Sequence, residues 1–553
     1  VWVGNVNRSV QFKKPSAGSP SAQEWISRKI PSFKSMFGMA SPSLRSGYFS
    51  VSHYNKYQPE FNLSIWRESG DWTEKHFRPY MCGSLVSDWG FVSSQIDRST
   101  SPGYPWNLKY GTKGAFLDDE SCLSTLDEYW TALSSPQPIK SLWQWSQKYE
   151  MRLLEKLEQD PSGIRGFMCA AIEHVLSTNR LCLDMNNRFY RSNNKTWSFV
   201  GGSKFNGGFN SLMFRLGRFC FGFDLDGSKY DTCMFRAMMF DLARIRYSFL
   251  QQEDQTEENW CRINELYVQA VYSMIALEAG DVCFKTTGMP SGFGNTIVDN
   301  TIGLFRYLSM IWITLLHNEF ADNLKEFERN KILLSQLPRA SDEYKRVELA
   351  VIAFRDSGLF SYSYFIGNVE AGLNGDDNTF TVSEECLPWF NYKTIVPVFA
   401  ALGLKITSNS EEPVMYYDLS FLSQTVVRHN SMWLPKPELN RTLSSLTLNC
   451  ASLDVRWSLL RAFALRIESW ACQDTRRLIM DYIDSLRKQY QRQFCGECPI
   501  PGTMTSISMV NIEKGFLTDR ELEGLYCGYE RGGLMHERVN FAVEMFESLG
   551  LFM

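Results

Sequence analysis

Apolar positions along this chain change their spacing several times, and each change marks an element. Residues 218–226, Arg-Phe-Cys-Phe-Gly-Phe-Asp-Leu-Asp, form a short apolar run that ends in carboxylates, the pattern of a buried strand. Met, Phe, Leu and Ile then recur at helical spacing over 232–252. A Gly/Pro-rich turn at 288–294 precedes a long apolar stretch, which predicts a buried helix over 296–316. Residues 318–356 read as a charged helical pair broken near Pro338-Arg339-Ala340-Ser341. A strand–turn–strand is expected over 364–382 and a helix near 387–402. Residues 451–494 and 519–550 are strongly amphipathic helical stretches. Nearer the N-terminus, 141–159 reads as a charged helix stopped by Asp160-Pro161-Ser162-Gly163. The first 125 residues show little period and are expected to be loops and short elements draped over the rest.

Size and composition narrow the class. A chain of 553 residues, 44% hydrophobic, can bury a large core or two to four sub-domains. With 14% aromatics it is not a low-complexity chain. The stretch Ile302–Leu316 is too short to span a bilayer and contains Arg306, so no transmembrane segment is expected. No charged-then-apolar leader is present, and a chain beginning at Val1 is expected to have been released from a polyprotein or trimmed. The 14 Cys are scattered, which suits reduced thiols in a cytosol-like compartment. Cys495-Gly496-Glu497-Cys498 is read as a solvated turn rather than a metal site. The six His form no HxxxH or HExxH pattern, which counts against a zinc hydrolase. At a net charge of −4, a nucleic-acid enzyme would have to concentrate its Lys and Arg in a channel.

Three segments carry chemistry. Phe223-Asp224-Leu225-Asp226-Gly227-Ser228-Lys229-Tyr230-Asp231 runs an apolar strand into three carboxylates beside a glycine turn, where oxygens can face a cleft and bind a hard cation. Asn374-Gly375-Asp376-Asp377-Asn378 is a hairpin signal that concentrates negative charge. Between them, Gly288-Met289-Pro290-Ser291-Gly292-Phe293-Gly294-Asn295-Thr296 is a loop whose backbone can approach a ligand closely, opening a helix that carries Asn300. Ser291, Thr296 and Asn300 can offer hydroxyl and amide groups near a sugar or phosphate. Two Mg²⁺ ions bridging the acidic clusters would stabilise the attacking and leaving oxygens of a phosphoryl transfer.

Taken together these segments resemble the RNA-dependent RNA polymerases of positive-strand RNA viruses, in the picornavirus-like supergroup. Asp226-x4-Asp231 resembles motif A, Ser291-Gly292-x3-Thr296-x3-Asn300 motif B, and Gly375-Asp376-Asp377 motif C, in family order. Thr100-Ser101-Pro102-Gly103-Tyr104-Pro105-Trp106 resembles the template-guiding motif G. Lys148, Lys156 and Ile164-Arg165-Gly166 sit where motif F places basic residues over the triphosphate. Leu402-Gly403-Leu404-Lys405-Ile406-Thr407 resembles motif D, and Phe421-Leu422-Ser423-Gln424 the primer-gripping motif E. Three departures stand out. Ser410-Glu411-Glu412 occupies the place of the motif D lysine, Asn368 to Leu373 before motif C is less apolar than the usual strand, and 318–356 lengthens the step from motif B to motif C.

The resemblance implies an α+β right-hand fold with an antiparallel-sheet palm and a helical thumb. Fingers are expected over 1–209 and 271–289, palm over 210–270 and 290–427, and thumb over 428–553. It implies that Asp226 and Asp376 ligate two Mg²⁺ ions, with Mn²⁺ as a substitute, and that Asp377 supports the site. Asp231 and Asn300 would bond the ribose 2′-hydroxyl, Ser291 and Thr296 would position the nucleotide, and Arg165, Lys156 and Lys148 would steady the triphosphate. Thr100, Ser101, Gly103 and Tyr104 would guide template, and Phe421, Leu422 and Ser423 would grip primer. Template and nascent RNA, NTPs and other viral replication proteins are the implied partners, at replication complexes in the host cytoplasm. The leading rival is a haloacid-dehalogenase-type phosphatase with Asp224 as nucleophile and Asp226 as acid/base, which leaves 288–300 and 100–106 without a role. A nucleotide-metal glycosyltransferase, a reverse transcriptase and a scaffold with solvated acidic turns fit less well.

Overall fold

The computed structural model describes residues 1–6, 18–40, 43–135, 137–159, 164–448, 454–489, 497–499, 506–508, 515–528 and 534–552. Its central sheet is built on the strand Phe221–Gly227. Asp377–Val382 pairs antiparallel with one edge of that strand and Val369–Asn374 pairs beyond it; Ile406–Thr407 and Val414–Met415 take the other edge. Side chains alternate across a strand, so Phe223 and Leu225 enter the core while Asp224 and Asp226 share the opposite face. Gly222 lets the backbones approach, since a Cβ there would strike the Phe380 carbonyl.

Beneath this sheet runs the long helix Thr296–Glu319, packed on the helix Leu63–Met81. It is apolar nearly all round because it is enclosed nearly all round. Arg306 is tolerated there because it pairs with Asp241, donates from Nη2 to the Trp66 carbonyl at 2.9 Å and lies 3.4 Å over the Trp66 ring. The 318–356 segment forms the antiparallel helices Ala321–Gln336 and Asp342–Asp356, joined by a stack of Phe327 on Phe354 at 4.4 Å.

Several expectations need correction. Residues 141–159 are not one helix: they form strands Leu142–Gln147 and Met151–Leu153 and the short helix Leu154–Gln159. The period is two, with Trp143, Trp145 and Gln147 buried, and the charged residues after it disguised that alternation. Leu142–Gln147 joins a five-stranded sheet in the order Trp2–Asn5, Asp281–Phe284, Met274–Ala276, Leu142–Gln147, Gly166–Cys169. The first 125 residues contain a 19-residue helix, Leu63–Met81, capped by Asn62 and hidden by an interior Pro79. The strand pair at 369–382 is preceded by a helix, Tyr362–Asn368, not by strand, because Ser361 caps it and Phe365 anchors it in the core. The modest apolarity of the strand Val369–Asn374 suits its place: Gly372 leaves room for Leu212, and Leu373 exchanges backbone bonds with Trp197 and Phe199.

The C-terminal stretch breaks into Val455–Glu468 and Gln473–Gln489, with Asp519–Cys527 and Leu534–Ser548 after it. Val455–Glu468 is buried on nearly every face rather than amphipathic; its Glu468 pairs with Lys204, and Arg466 bonds the Leu517 carbonyl. The helix Pro20–Lys29 docks here too, where Trp25 Nε1 donates to Asp481 at 3.0 Å. Asp160–Gly163 and Cys495 lie outside the described residues, while Cys498 falls in a short strand, Glu497–Pro499. Among the described residues no helix is long and apolar enough to cross a membrane.

Candidate active site

The register of the central sheet brings two distant carboxylate clusters together. Leu225 faces Asn378 across the antiparallel pair, and one residue further on each strand come Asp226 and Asp377. The hairpin is tight because Gly375 adopts a φ of 71° and its N–H donates to Thr301 Oγ1 at 2.8 Å. Asn378 Nδ2 donates to the Leu225 carbonyl at 2.8 Å and to the Asp376 carbonyl at 3.2 Å, locking hairpin to strand.

Charge is in excess here. Burial first, then the charges of Asp231 and Asp226, push the Asp376 carboxyl up, against a downward pull from Arg165. Burial, then Asp376 and Asp226, push Asp377 up to about 6, with Arg165 and Arg441 opposing. Both side chains touch solvent at the mouth of the cleft although protein surrounds them on most sides, so water screens part of this repulsion. Asp226 has a countercharge at longer range, Lys156 Nζ at 3.7 Å from Oδ2.

The donor set fits a hard divalent cation: three carboxylates, all oxygen, at a sheet edge with more negative charge than the nearby Lys and Arg neutralise. Among the described residues no three His, Cys, Asp or Glu side chains already converge on one ion position.

Asp224 is different. Ser408 Oγ and the Asn409 N–H donate to its Oδ1 at 3.2 and 3.3 Å, and Asn409 Nδ2 and the Ser420 N–H donate to its Oδ2 at 3.3 and 3.0 Å. Both oxygens tie the strand to motifs D and E, so Asp224 is a structural anchor, and the phosphatase reading with Asp224 as nucleophile is set aside.

A second cluster lies one turn away. After Lys229, at a φ of 54°, the 3-10 turn Tyr230–Cys233 aims Asp231 at the motif B loop. Ser291 Oγ donates to Asp231 Oδ2, and Asn300 Nδ2 donates to Oδ1 at 2.7 Å. Beneath it, Asp299 is fully buried, taking Arg246 Nε at 2.7 Å and the Tyr267 hydroxyl at 2.5 Å. Thr296 Oγ1 lies 2.8 Å from both the Pro290 and Phe293 carbonyls, to which its hydroxyl donates, and so it braces the loop that carries Ser291.

The basic and template-side residues flank these clusters. Lys148 occupies the turn between the two strands misread as helix; its N–H donates to the Arg165 carbonyl at 2.7 Å. Arg165 Nη1 stands 3.7 Å from Glu150. Gly103, at a φ of 78°, packs its backbone against Ala170, next to the motif F strand; Ser101 accepts the Gly103 N–H at 3.3 Å, and Thr100 is exposed before the cis Tyr104–Pro105 bond. Leu422 and Ser423 both adopt positive φ in a two-residue turn closed by Phe421 and Gln424. A cavity of about 880 Å³ opens between that turn and motif F, lined by Lys156, Arg165, Asp224, Ser423, Lys436 and Arg441.

Sequence reasoning missed three residues. Arg441 donates to Ser423 Oγ at 3.2 Å and draws Asp377 down. Tyr54 lies buried under the motif B loop, its carbonyl taking the N–H groups of Thr286 and Thr287. Lys393 pairs with Glu412 at 2.6 Å, bringing a lysine to the motif D segment where Ser410-Glu411-Glu412 has none. None of the three has a local pattern that separates it from surface or core.

Comparison with known proteins agrees with this geometry. The family model "Viral RNA-dependent RNA polymerase" matches residues 65–486. The genome polyprotein of Plum pox potyvirus (isolate NAT) is 27% identical over 359 residues, 63% of this chain and 10% of the polyprotein. That of Bean yellow mosaic virus is 26% identical over 330 residues, 60% of this chain and 9% of the polyprotein. The chain thus spans about a tenth of the length of these relatives. The Sicinivirus 3Dpol RNA dependent RNA polymerase superposes with a TM-score of 0.64 at 11% identity, over 88% of this chain and 94% of that one, which shows the α+β polymerase fold. The chain belongs to the viral RNA-dependent RNA polymerase family.

Proposed function

We propose that this chain copies an RNA template by transferring nucleotides from NTPs to an RNA 3′-hydroxyl, for viral genome replication and transcription. The observation that carries the reading is the meeting of Asp226, Asp376 and Asp377 beside an Asp231–Ser291–Asn300 cluster, from residues up to 151 apart in sequence. Asp226 and Asp376 would hold two Mg²⁺ ions, or Mn²⁺, with Asp377 in support. When bound, such ions lower the charge on the α-phosphate and stabilise the attacking and leaving oxygens. The primer 3′-oxygen forms the new bond to the α-phosphorus as its proton passes to solvent water, and the bond from the α-phosphorus to the oxygen bridging the β-phosphate breaks, releasing pyrophosphate. Catalysis on this reading is positioning plus charge neutralisation.

Each neighbouring residue then has a task. Asp231 and Asn300 bond the ribose 2′-hydroxyl, the group that separates RNA from DNA precursors. Ser291 orients Asp231 and the nucleotide. Arg165, Lys156 and Lys148 steady the triphosphate. Thr100, Ser101, Gly103 and Tyr104 guide template, and Phe421, Leu422 and Ser423 support primer. Fingers would comprise 1–209 and 271–289, palm 210–270 and 290–427, and thumb 428–553. Similarity to stretches of genome polyproteins supports release from a polyprotein; on this reading the chain would act at replication complexes in the host cytoplasm, with other replication proteins as partners.

The test is extension of an RNA primer on an RNA template, with and without primer and with and without Mg²⁺. Template-dependent, divalent-dependent incorporation of NTPs is the expected result. No incorporation under any of these conditions would remove the reading.

A further inference from the structure

Lys285 is fully buried, and among the described residues its ammonium faces no carboxylate within bonding distance. It donates instead to three backbone carbonyls: Val271 at 3.1 Å, Thr287 at 3.1 Å and Gly288 at 2.8 Å. A buried cation without a paired anion costs free energy, so its retention calls for a role. Burial lowers the Lys285 pKa well below its usual range, while the negative charge of Asp231 opposes that shift. Three acceptors in reach suit three N–H donors, which only the protonated amine supplies. Val271 ends the helix Glu257–Val271, so the ammonium also meets the negative end of a helix dipole.

From Lys285 a continuous set of contacts leads to the second cluster. Gly288, whose carbonyl Lys285 holds, has a φ of 83° and donates its N–H to the Met234 carbonyl at 3.1 Å. The next residue, Met289, donates its N–H to the Asp231 carbonyl at 2.8 Å. A Cβ at Gly288 would lie 2.6 Å from the Tyr54 ring and 3.0 Å from the Asp231 carbonyl. The loop, the Asp231 backbone and the Ser291 and Asn300 bonds to the Asp231 carboxylate are thus one assembly, pinned from below by one cation.

We infer that Lys285 is a positioning residue for sugar discrimination: by fixing the Thr287–Gly288 carbonyls it sets where Asp231, Ser291 and Asn300 stand, and so the preference for ribonucleotides. The inference rests on the proposed role of Asp231 at the ribose 2′-hydroxyl. Substituting Lys285 by Met keeps length and bulk but leaves three buried carbonyls without donors. Gly288→Ala moves the same loop from the other side, by displacing Tyr54 and the Asp231 backbone.

The experiment measures kcat/KM for GTP and dGTP incorporation on an RNA primer–template with the full chain. Wild type, Lys285→Met, Gly288→Ala and Asp231→Ala are compared. A loss of folded enzyme scales both nucleotides equally and cancels in the ratio, so the ratio reports the position of the cluster. The expected result is that the GTP/dGTP ratio falls by about tenfold in Lys285→Met and in Gly288→Ala, and by at least as much in Asp231→Ala. If one loop variant yields no active enzyme, the other decides. A reduced ratio in Asp231→Ala with an unchanged ratio in the active loop variants overturns the role of Lys285 and leaves that of Asp231 standing. An unchanged ratio in Asp231→Ala overturns both.

Discussion

Two acidic clusters lie side by side in this site and are built on opposite principles. Asp231 is satisfied by the protein: Ser291 and Asn300 bond its oxygens, and a buried Arg246–Asp299–Tyr267 group fixes the helix beneath. Asp226, Asp376 and Asp377 are left in mutual repulsion, which among the described residues is opposed by an ion-pair contact from Lys156 at Asp226, a backbone hydrogen bond at Asp376 and the longer-range pull of Arg165 and Arg441. The first cluster is held in place by the protein alone, which suits the sugar-sensing role proposed for it. The second is incomplete by design of charge, and a cation completes it.

The contrast can be broken most strongly at the second cluster. Asp226→Asn removes a ligand charge without removing core, so templated incorporation should fall by about a thousandfold or more while the melting temperature does not drop. A fall in stability of the same variant would mean that Asp226 is structural like Asp224. At the first cluster the order reverses. Arg246→Met strands Asp299 in the core and should destabilise the fold by about 3–5 kcal/mol, read by denaturant unfolding. Unaltered unfolding would show that this helix does not depend on the buried pair.

A smaller effect separates sensing from chemistry. Asp231→Ala should cut the preference for NTPs over dNTPs by about tenfold or more, through loss of a charged hydrogen bond, with incorporation of dNTPs largely kept. Equal losses for both sugars would assign Asp231 to the chemical step instead.

The smallest effect follows from protonation. Asp377 is pushed up to about 6, so the metal-free protein holds this proton more tightly folded than unfolded. Its contribution to stability is therefore present at low pH and lost as pH rises through about 6. Without divalent ions, Asp377→Asn should raise the melting temperature by about 1–2 °C near neutral pH and leave it unchanged at about pH 4. The Mg²⁺ needed for half-maximal activity should rise as pH falls through the same window. A flat Mg²⁺ requirement would show that Asp377 lies outside the cation field.

Much of this was legible in the sequence, for identifiable reasons. Asp226, Asp231, Ser291, Asn300, Asp376 and Asp377 sit beside glycines and apolar runs that name a strand end, a loop and a hairpin. The register that puts Leu225 opposite Asn378 then brings them together. Charge at Lys148, Glu150 and Lys156 gives 141–159 the look of a helix surface, while the Trp143–Trp145 alternation is the stronger signal. Asp224 could not be separated from Asp226 by pattern, since both face the same way; only the donors from Ser408, Asn409 and Ser420, some 185 residues on, distinguish them. Lys285 and Tyr54 carry no local mark, because their meaning lies in which carbonyls they meet.

The division of labour between Asp376 and Asp224 is the most direct test of the central claim. Wild type, Asp376→Asn and Asp224→Asn should be assayed side by side for NTP incorporation on an RNA template and for phosphate-ester hydrolysis. Asp376→Asn is expected to abolish incorporation and Asp224→Asn to retain part of it, with phosphatase activity in none of the three. Phosphatase activity lost in Asp224→Asn, with no templated incorporation by wild type, would contradict that claim.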